Sequence, residues 1–151
     1  MHDIVHELTI TAEPEQVYEA VATAAGLATW WSTDVTVHPP TAAAHAAAGP
    51  EGTEIEVGFD QHSVVIRLRV DTLDPPVLTH LTCIDGPEEW PGTQLAFRVE
   101  PANDGGTVVR FWHGGWAYEN GALPRCSFQW AMYLDSLRQV LEGGVGSPAG
   151  A

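Results

Sequence analysis

Histidine and tryptophan are the residue types of this chain with the most chemistry to offer, seven of the first and six of the second in 151 residues. A histidine inside an apolar cup can orient a polar ligand group or serve as a general base. His80 and His113 lie in segments that alternate like strands, so they are the candidates, with Arg69 or Arg110 able to meet a carboxylate bidentately or polarise a carbonyl if turned inward. Catalysis would require these groups to converge on one point of a cavity. A metal is not expected. His2 and His6 are terminal, and His38 and His45 flank or sit in an Ala-rich stretch; no pair has zinc-site spacing or the company of a Cys-x-x-Cys. His62, His80 and His113 could meet from three strands, which spacing alone does not show. Ser127 and Ser136 lack a Gly-x-Ser-x-Gly elbow, and Gly105-Gly106 and Gly114-Gly115 read as turns, not as a dinucleotide fingerprint. No cofactor is expected.

The tryptophans suit a hollow for flat or apolar molecules, against the plainer role of filling the core. Trp130 sits on an apolar helical stripe and reads as core. Trp30-Trp31 aims two rings apart, one into the core and one towards a cavity mouth. Trp90, Trp112 and Trp116 fall at strand ends or loops, where pocket rims form. Cys83 and Cys126 are too few for a disulfide scaffold and read as buried thiols in a reducing compartment.

Charge narrows the function classes. Twenty Asp and Glu face six Arg and no Lys, for a formal net charge of −14. Without lysine there is no Schiff-base chemistry and no phosphate-loop lysine. So negative a field disfavours nucleic acid and anionic membranes alike. Hydrophobic residues make up 44% of the chain, enough for one domain with its own core. The first residues form no signal peptide, and no apolar run approaches the ~20 residues of a membrane span. A cytoplasmic location is expected.

Several elements must position these residues. Ile4 to Thr11 alternates as a strand; Glu13-Pro14-Glu15 opens a helix carrying Val17, Tyr18, Val21 and Ala22 on one face; Gly26 breaks it before a helical turn at Leu27–Trp31. Residues 39–50 form an Ala/Pro-rich surface loop. Ile55–Phe59, Ser63–Leu73, Val77–Ile84, Thr93–Glu100 and Thr107–His113 then read as five strands joined by tight turns, an antiparallel meander. Arg67, Arg69, Arg98 and Arg110 occupy their polar phase and are expected to pair with Glu54, Glu56 and Glu100 on the outer face. A long helix from Pro124 to Glu142 carries Cys126, Trp130, Tyr133, Leu134, Leu137 and Leu141 on one stripe, with Phe128 and Met132 widening it. The predicted organisation is a single domain over residues 1–144 and a flexible tail over 145–151.

That order, with Pro14-Glu15-Gln16-Val17-Tyr18, Trp30-Trp31, Asp74-Pro75-Pro76, Glu88-Glu89-Trp90-Pro91-Gly92-Thr93, Phe111-Trp112-His113-Gly114-Gly115-Trp116 and the Trp130, Tyr133-Leu134, Ser136-Leu137 pattern, resembles the helix-grip (SRPBCC) superfamily. Its members include START lipid-transfer domains, birch-pollen-allergen-like proteins and polyketide cyclases. Within it the sequence is most similar to the branch named after the activator of the 90-kDa heat-shock protein ATPase. The resemblance implies an α+β fold, a curved antiparallel sheet of about six strands around the C-terminal helix, with two short helices after strand one. It also implies a container, and chaperone activation is not carried over from it.

The expected function is therefore binding of a small hydrophobic or aromatic molecule between sheet and helix. Phe59, Ile66, Leu68, Phe97, Phe111, Phe128 and Met132 would supply the apolar wall, and Trp31, Trp116, His80 and His113 the orientation. The alternatives are a protein-interaction module, co-chaperone-like or regulator-associated, and a cyclase- or hydrolase-type enzyme using the pocket histidines and an arginine. An exposed edge strand offers a route to a homodimer.

Overall fold

The structure, a computed structural model, describes residues 2–38 and 51–150. The Ala/Pro-rich loop, including His45, lies outside the described residues.

Alternating β-branched and apolar residues produce strands where the sequence predicts them. β1 (His2–Ile10) is followed by α1 (Pro14–Ala22) and α2 (Ala24–Trp30), and the remaining strands precede a single long helix, α3 (Leu123–Leu141). Between α2 and that helix run β2 (Asp34–His38), β3 (Glu54–Phe59), β4 (Val64–Asp74), β5 (Leu78–Asp85), β6 (Gln94–Pro101) and β7 (Thr107–Trp116). The described strands form one seven-stranded sheet in the order β1-β7-β6-β5-β4-β3-β2, every pair antiparallel. β2 is one strand more than the sequence reading counted. Its five residues pair only with β3, at the edge, Val35 opposite Val57 and Val37 opposite Ile55, so the short alternation has one neighbour to reveal it.

Pro14 opens α1, and a capping box closes its first turn, the Glu13 and Gln16 side chains each meeting the other's backbone. The Thr23 hydroxyl caps α2 by accepting from the Gly26 N–H. Gly26 lies so close to the Glu19 and Ala20 backbone that a Cβ there would stand 2.3 Å from the Glu19 carbonyl oxygen. Glycine thus lets α2 fold back tightly on α1.

The concave face of the sheet buries Ile4, Ile10, Ile55, Val57, Leu68, Val70, Leu81, Leu95, Phe97, Val99, Val109 and Phe111 against Trp130, Leu134 and Leu137 of α3. The convex face carries the charges. Arg67 pairs with Glu54 and Glu56, Arg69 with Asp71, and Arg110 with Glu7 and Glu100. Arg69 and Arg110 therefore point away from the interior, which removes the inward reading of either. Glu7 and Asp71 are partners beyond the expected three, and Arg98 makes no ion pair among the described residues.

The tail after α3 differs from the loose segment predicted. The Ser147 N–H donates to Ser136 Oγ at 2.7 Å, and that hydroxyl donates to the Trp30 carbonyl at 3.0 Å. Ala149 then bridges in parallel to Ser32, its N–H donating to the Trp31 carbonyl and its carbonyl accepting from the Thr33 N–H. Gly/Pro/Ala composition offers no side chain to announce such docking, because backbone groups make it. Ser136 is buried and serves both partners, so Ser136→Ala leaves the buried Trp30 carbonyl unpaired and releases the part-buried Ser147 N–H. The expected loss is about 1–3 kcal/mol, read as a lower urea midpoint at unchanged slope.

Candidate functional site

A cavity of about 570 Å³ opens beside the first half of α3. Its inner wall is Trp31, Ile66, Trp90, Cys126 and Trp130, all buried, with Phe59 and Tyr133 half-buried above them. Asp60, Val64, Pro87, Arg125, Gln129 and Ala149 line it towards the outside. Five parts of the chain build it. α3 presents Arg125, Cys126, Gln129, Trp130 and Tyr133 at spacings of three, four and one. The β3–β4 hairpin supplies Phe59, Asp60, Val64 and Ile66; the β5–β6 connection supplies Pro87 and Trp90; and the end of α2 with the docked tail supplies Trp31 and Ala149.

The hairpin turn is unusual: Asp60, Gln61 and His62 all take left-handed backbone, at φ of 53°, 57° and 68°. His62 is fastened on the convex side, its Nδ1 2.5 Å from Asp34 Oδ2 and its Nε2 3.3 Å from Glu56. Asp34 first, and Glu56 after it, favour the charged imidazole and raise its pKa. Asp60 is thereby held at the cavity while His62 ties the turn to the sheet.

An aromatic cluster forms the floor. The Trp31 and Trp130 rings lie 5.0 Å apart and Trp130 and Phe111 4.4 Å, close to the tilted and edge-on spacings that aromatic pairs prefer. Trp130 Nε1 donates to His113 Nδ1 at 3.1 Å; His113 Nε2 donates to Thr93 Oγ1 at 2.8 Å; the Thr93 hydroxyl donates to the Trp90 carbonyl at 2.6 Å. Between the donor-only indole and the acceptor-only carbonyl, His113 and Thr93 each accept one hydrogen bond and donate one, which fixes the neutral imidazole with its proton on Nε2. Burial pushes the His113 pKa down to about 3.

The structure thus brings together Phe59 and Ile66 of the predicted wall with Trp31, which was expected to orient a ligand, and leaves the other candidates elsewhere. Phe97 and Phe111 are buried beneath Trp130, and Leu68 is buried in the same packed core. Trp116 is sealed, its Nε1 donating to the His113 carbonyl. His113 faces inward but is enclosed by Trp90, Trp116 and Trp130 with both ring nitrogens engaged. His80 stands on the convex face, stacked on Trp112 and beside Gln94 and Asp71. The two histidines lie on opposite faces of the sheet and share no cavity point, so a general acid–base pair is not assembled. Phe128 and Met132 are 69% and 58% exposed. At about 100° per residue each lies some 200° from Cys126 or Trp130, on the far side of the helix and not at its flank.

Asp60, Val64, Pro87, Arg125, Cys126, Gln129, Tyr133 and Ala149 were not anticipated as lining, and Trp130, expected only as core, lines the cavity too. The spacing of Arg125 and Gln129 beside Cys126 and Trp130 is the one available signal. Burial leaves neither thiol activated. Both cysteines are free and buried, and desolvation raises Cys83 to about 12 and Cys126 above its usual value. Among the described residues no group of three or more His, Cys, Asp or Glu could hold a metal ion.

The comparisons agree with this architecture. The family model for Activator of Hsp90 ATPase homolog 1-like protein matches residues 11–142. The chain belongs to this family. A solution structure of the Aha1 dimer from Colwellia psychrerythraea superposes on this member with a TM-score of 0.80 at 31% identity, over 97% of this chain and 100% of that one. SSP2350 from Staphylococcus saprophyticus gives 0.75 at 17%, over 98% of each chain. CalU16 from Micromonospora echinospora gives 0.72 at 15%, over 93% of this chain and 74% of that one. These last two likenesses are of fold. No curated protein matches the sequence.

The His113 chain carries a pH signature. Its folded pKa lies below the ordinary value near 6.5, so the stability it contributes is complete above pH ~6.5 and drains as pH falls towards 3. At about 1.4 kcal/mol per pH unit, the loss between pH 6.5 and 4.5 is about 2–3 kcal/mol. In urea titrations across that window, His113→Gln is expected to show a correspondingly shallower decline than the unaltered protein.

Proposed function

We propose that this protein binds a small hydrophobic or aromatic molecule in the cavity between the β3–β4 hairpin and α3, in the cytoplasm. The observation that carries the reading is the cavity itself. At about 570 Å³ it falls within the ~300–1,000 Å³ typical of small-molecule sites, and its floor is indole and aliphatic surface. A second hollow, between β1 and α3 beside His6, Leu8 and Leu134, is about 180 Å³, below the size of a small-molecule site. Of the titratable groups lining the larger cavity, none is a histidine, which favours holding a ligand over acid–base turnover. No helix among the described residues is long and apolar enough to cross a membrane, in keeping with a carrier that works away from the bilayer.

Native mass spectrometry of freshly purified protein, compared with the same sample denatured, tests this directly. An excess of a few hundred daltons that disappears on denaturation is expected. Val64 stands half-open at the cavity's outer side, where a larger ring blocks access without entering the core. Val64→Trp is expected to abolish the excess mass while leaving the melting temperature within a few degrees. A bare mass in the native protein from several hosts, with no uptake of added aromatic probes, would count against the reading.

A second reading, self-association, has its own support. The Colwellia psychrerythraea relative is a dimer, and Phe128 and Met132 sit exposed one turn apart on the outer face of α3. If two copies meet there, Phe128→Asp with Met132→Asp lowers the dimer fraction in the same native spectra.

A further inference from the structure

We propose that the cavity is built for an aromatic ligand bearing an anionic group, a carboxylate or its equivalent, which Arg125 holds at the outer rim. The inference rests on the cavity being a ligand site and goes on to name the chemistry of the occupant.

Its basis is the distribution of the six arginines, the only permanent side-chain cations in the chain. Arg67, Arg69, Arg110 and Arg138 each pair with a carboxylate. Arg98 lies on the convex face, opposite Arg110 across the β6–β7 pair. Arg125 alone lines the cavity, and among the described residues it makes no ion pair, although the chain carries 20 carboxylates. The segment 39–50 contains neither Asp nor Glu.

The position is also electrostatically adverse. Arg125 is the third residue of the 19-residue α3, in the first turn, where the aligned peptide dipoles already present positive charge and a cation is disfavoured. The Glu89 carboxylate accepts from the Ala122 N–H at 3.1 Å, so the helix end has its counter-charge without Arg125. A guanidinium that makes no ion pair among the described residues and does not serve the dipole, yet lines a cavity with an aromatic floor, is a local rule broken at a site. It also supplies the fork geometry that binds carboxylates with two parallel hydrogen bonds.

The other polar groups set the orientation. The Trp130 indole N–H is spent in the Trp130–His113–Thr93–Trp90 chain. What remains for a ligand is the Trp31 indole N–H and the Tyr133 hydroxyl inside, and at the outer rim Arg125 and Gln129 one turn apart on α3, with Asp60 on the hairpin. Asp60 would repel an anion from the hairpin side and direct it to α3. The net charge of −14 acts against an anion at long range, but salt screens it beyond ~8 Å, so the contact at Arg125 decides affinity.

Isothermal titration with three probes of one shape, 2-naphthoate, 2-naphthalenemethanol and 2-naphthylmethylamine, tests the proposal on the full-length protein. The expected result is 2-naphthoate binding about tenfold or more tightly than the alcohol. Arg125→Gln should erase that gap by weakening the naphthoate while leaving the alcohol unchanged, and Arg125→Lys should retain part of it. Arg125 is exposed, so folding of these variants is checked simply by an unchanged circular-dichroism spectrum and unchanged binding of the alcohol. Equal affinity for acid and alcohol, tightest binding of the amine, or a naphthoate preference that survives Arg125→Gln would each overturn the anion assignment and leave the cavity standing as a site. Failure of all three probes to bind would overturn it together with the cavity reading.

Discussion

The indole N–H of Trp130 must find an acceptor where water does not reach, and much of the interior is arranged by that demand. Trp130 is the residue by which α3 seats on the sheet, touching Phe97 and Phe111 on one side and Trp31 on the other. An unpaired indole nitrogen there would cost a desolvation penalty comparable to a lost hydrogen bond. His113 removes it, but only as the neutral tautomer whose other nitrogen donates to Thr93, and Thr93 in turn holds the Trp90 backbone. One buried contact therefore sets the height of the helix above the sheet and the placement of the β5–β6 connection that walls the cavity.

The hollow exists because the sheet extends past the part of α3 that packs tightly upon it. Towards the C-terminal half, Leu134 and Leu137 lie flush against the concave face. Towards the N-terminal half, the wide rings of Trp31, Trp90 and Trp130 stand between helix and sheet, and the helix turns Arg125 and Gln129 to the opening. Aromatic rings fill such a gap poorly from the edge, since their volume is flat and they pack best tilted against one another. The outward charges follow the same division of labour: the convex face is laced by arginine–carboxylate pairs, Arg138 pairs with Asp135 on α3 itself, and Arg125 stands at the cavity rim.

How much of this was legible in the sequence depended on whether a side chain or a backbone carried the information. The alternation of Val109, Phe111 and His113, or of Ile55 and Val57, specified which face each strand buries, and the motifs around Trp30-Trp31 and Trp112-His113 carried the family. Phase was legible for His80 too: Leu81 and Cys83 claim the inner face, so their neighbour had to point out. The angular position of Phe128 and Met132 was similarly readable, and hydrophobicity outweighed it. β2 is short and edge-bound, and the docking of Ala149 is made by peptide groups, so neither leaves a strong pattern. Arg125 and Gln129 are polar, and polarity on a helix reads as exposure to solvent until a wall is seen to rise opposite.

The first strand of the sheet lies beside the last. β1 pairs along its whole length with β7, Ile4 opposite His113 and Leu8 opposite Val109. During synthesis, β1 must wait until about a hundred further residues have been made, several seconds or more at ~5–20 residues per second, before its partner exists. Its Ile4, Leu8 and Ile10 side chains pass that interval without a sheet to lie on. α3, which closes over them, emerges later still. The concave face is thus closed by α3, the last of the described elements to be made, and a nascent chain stopped short of it would present an open, apolar trough.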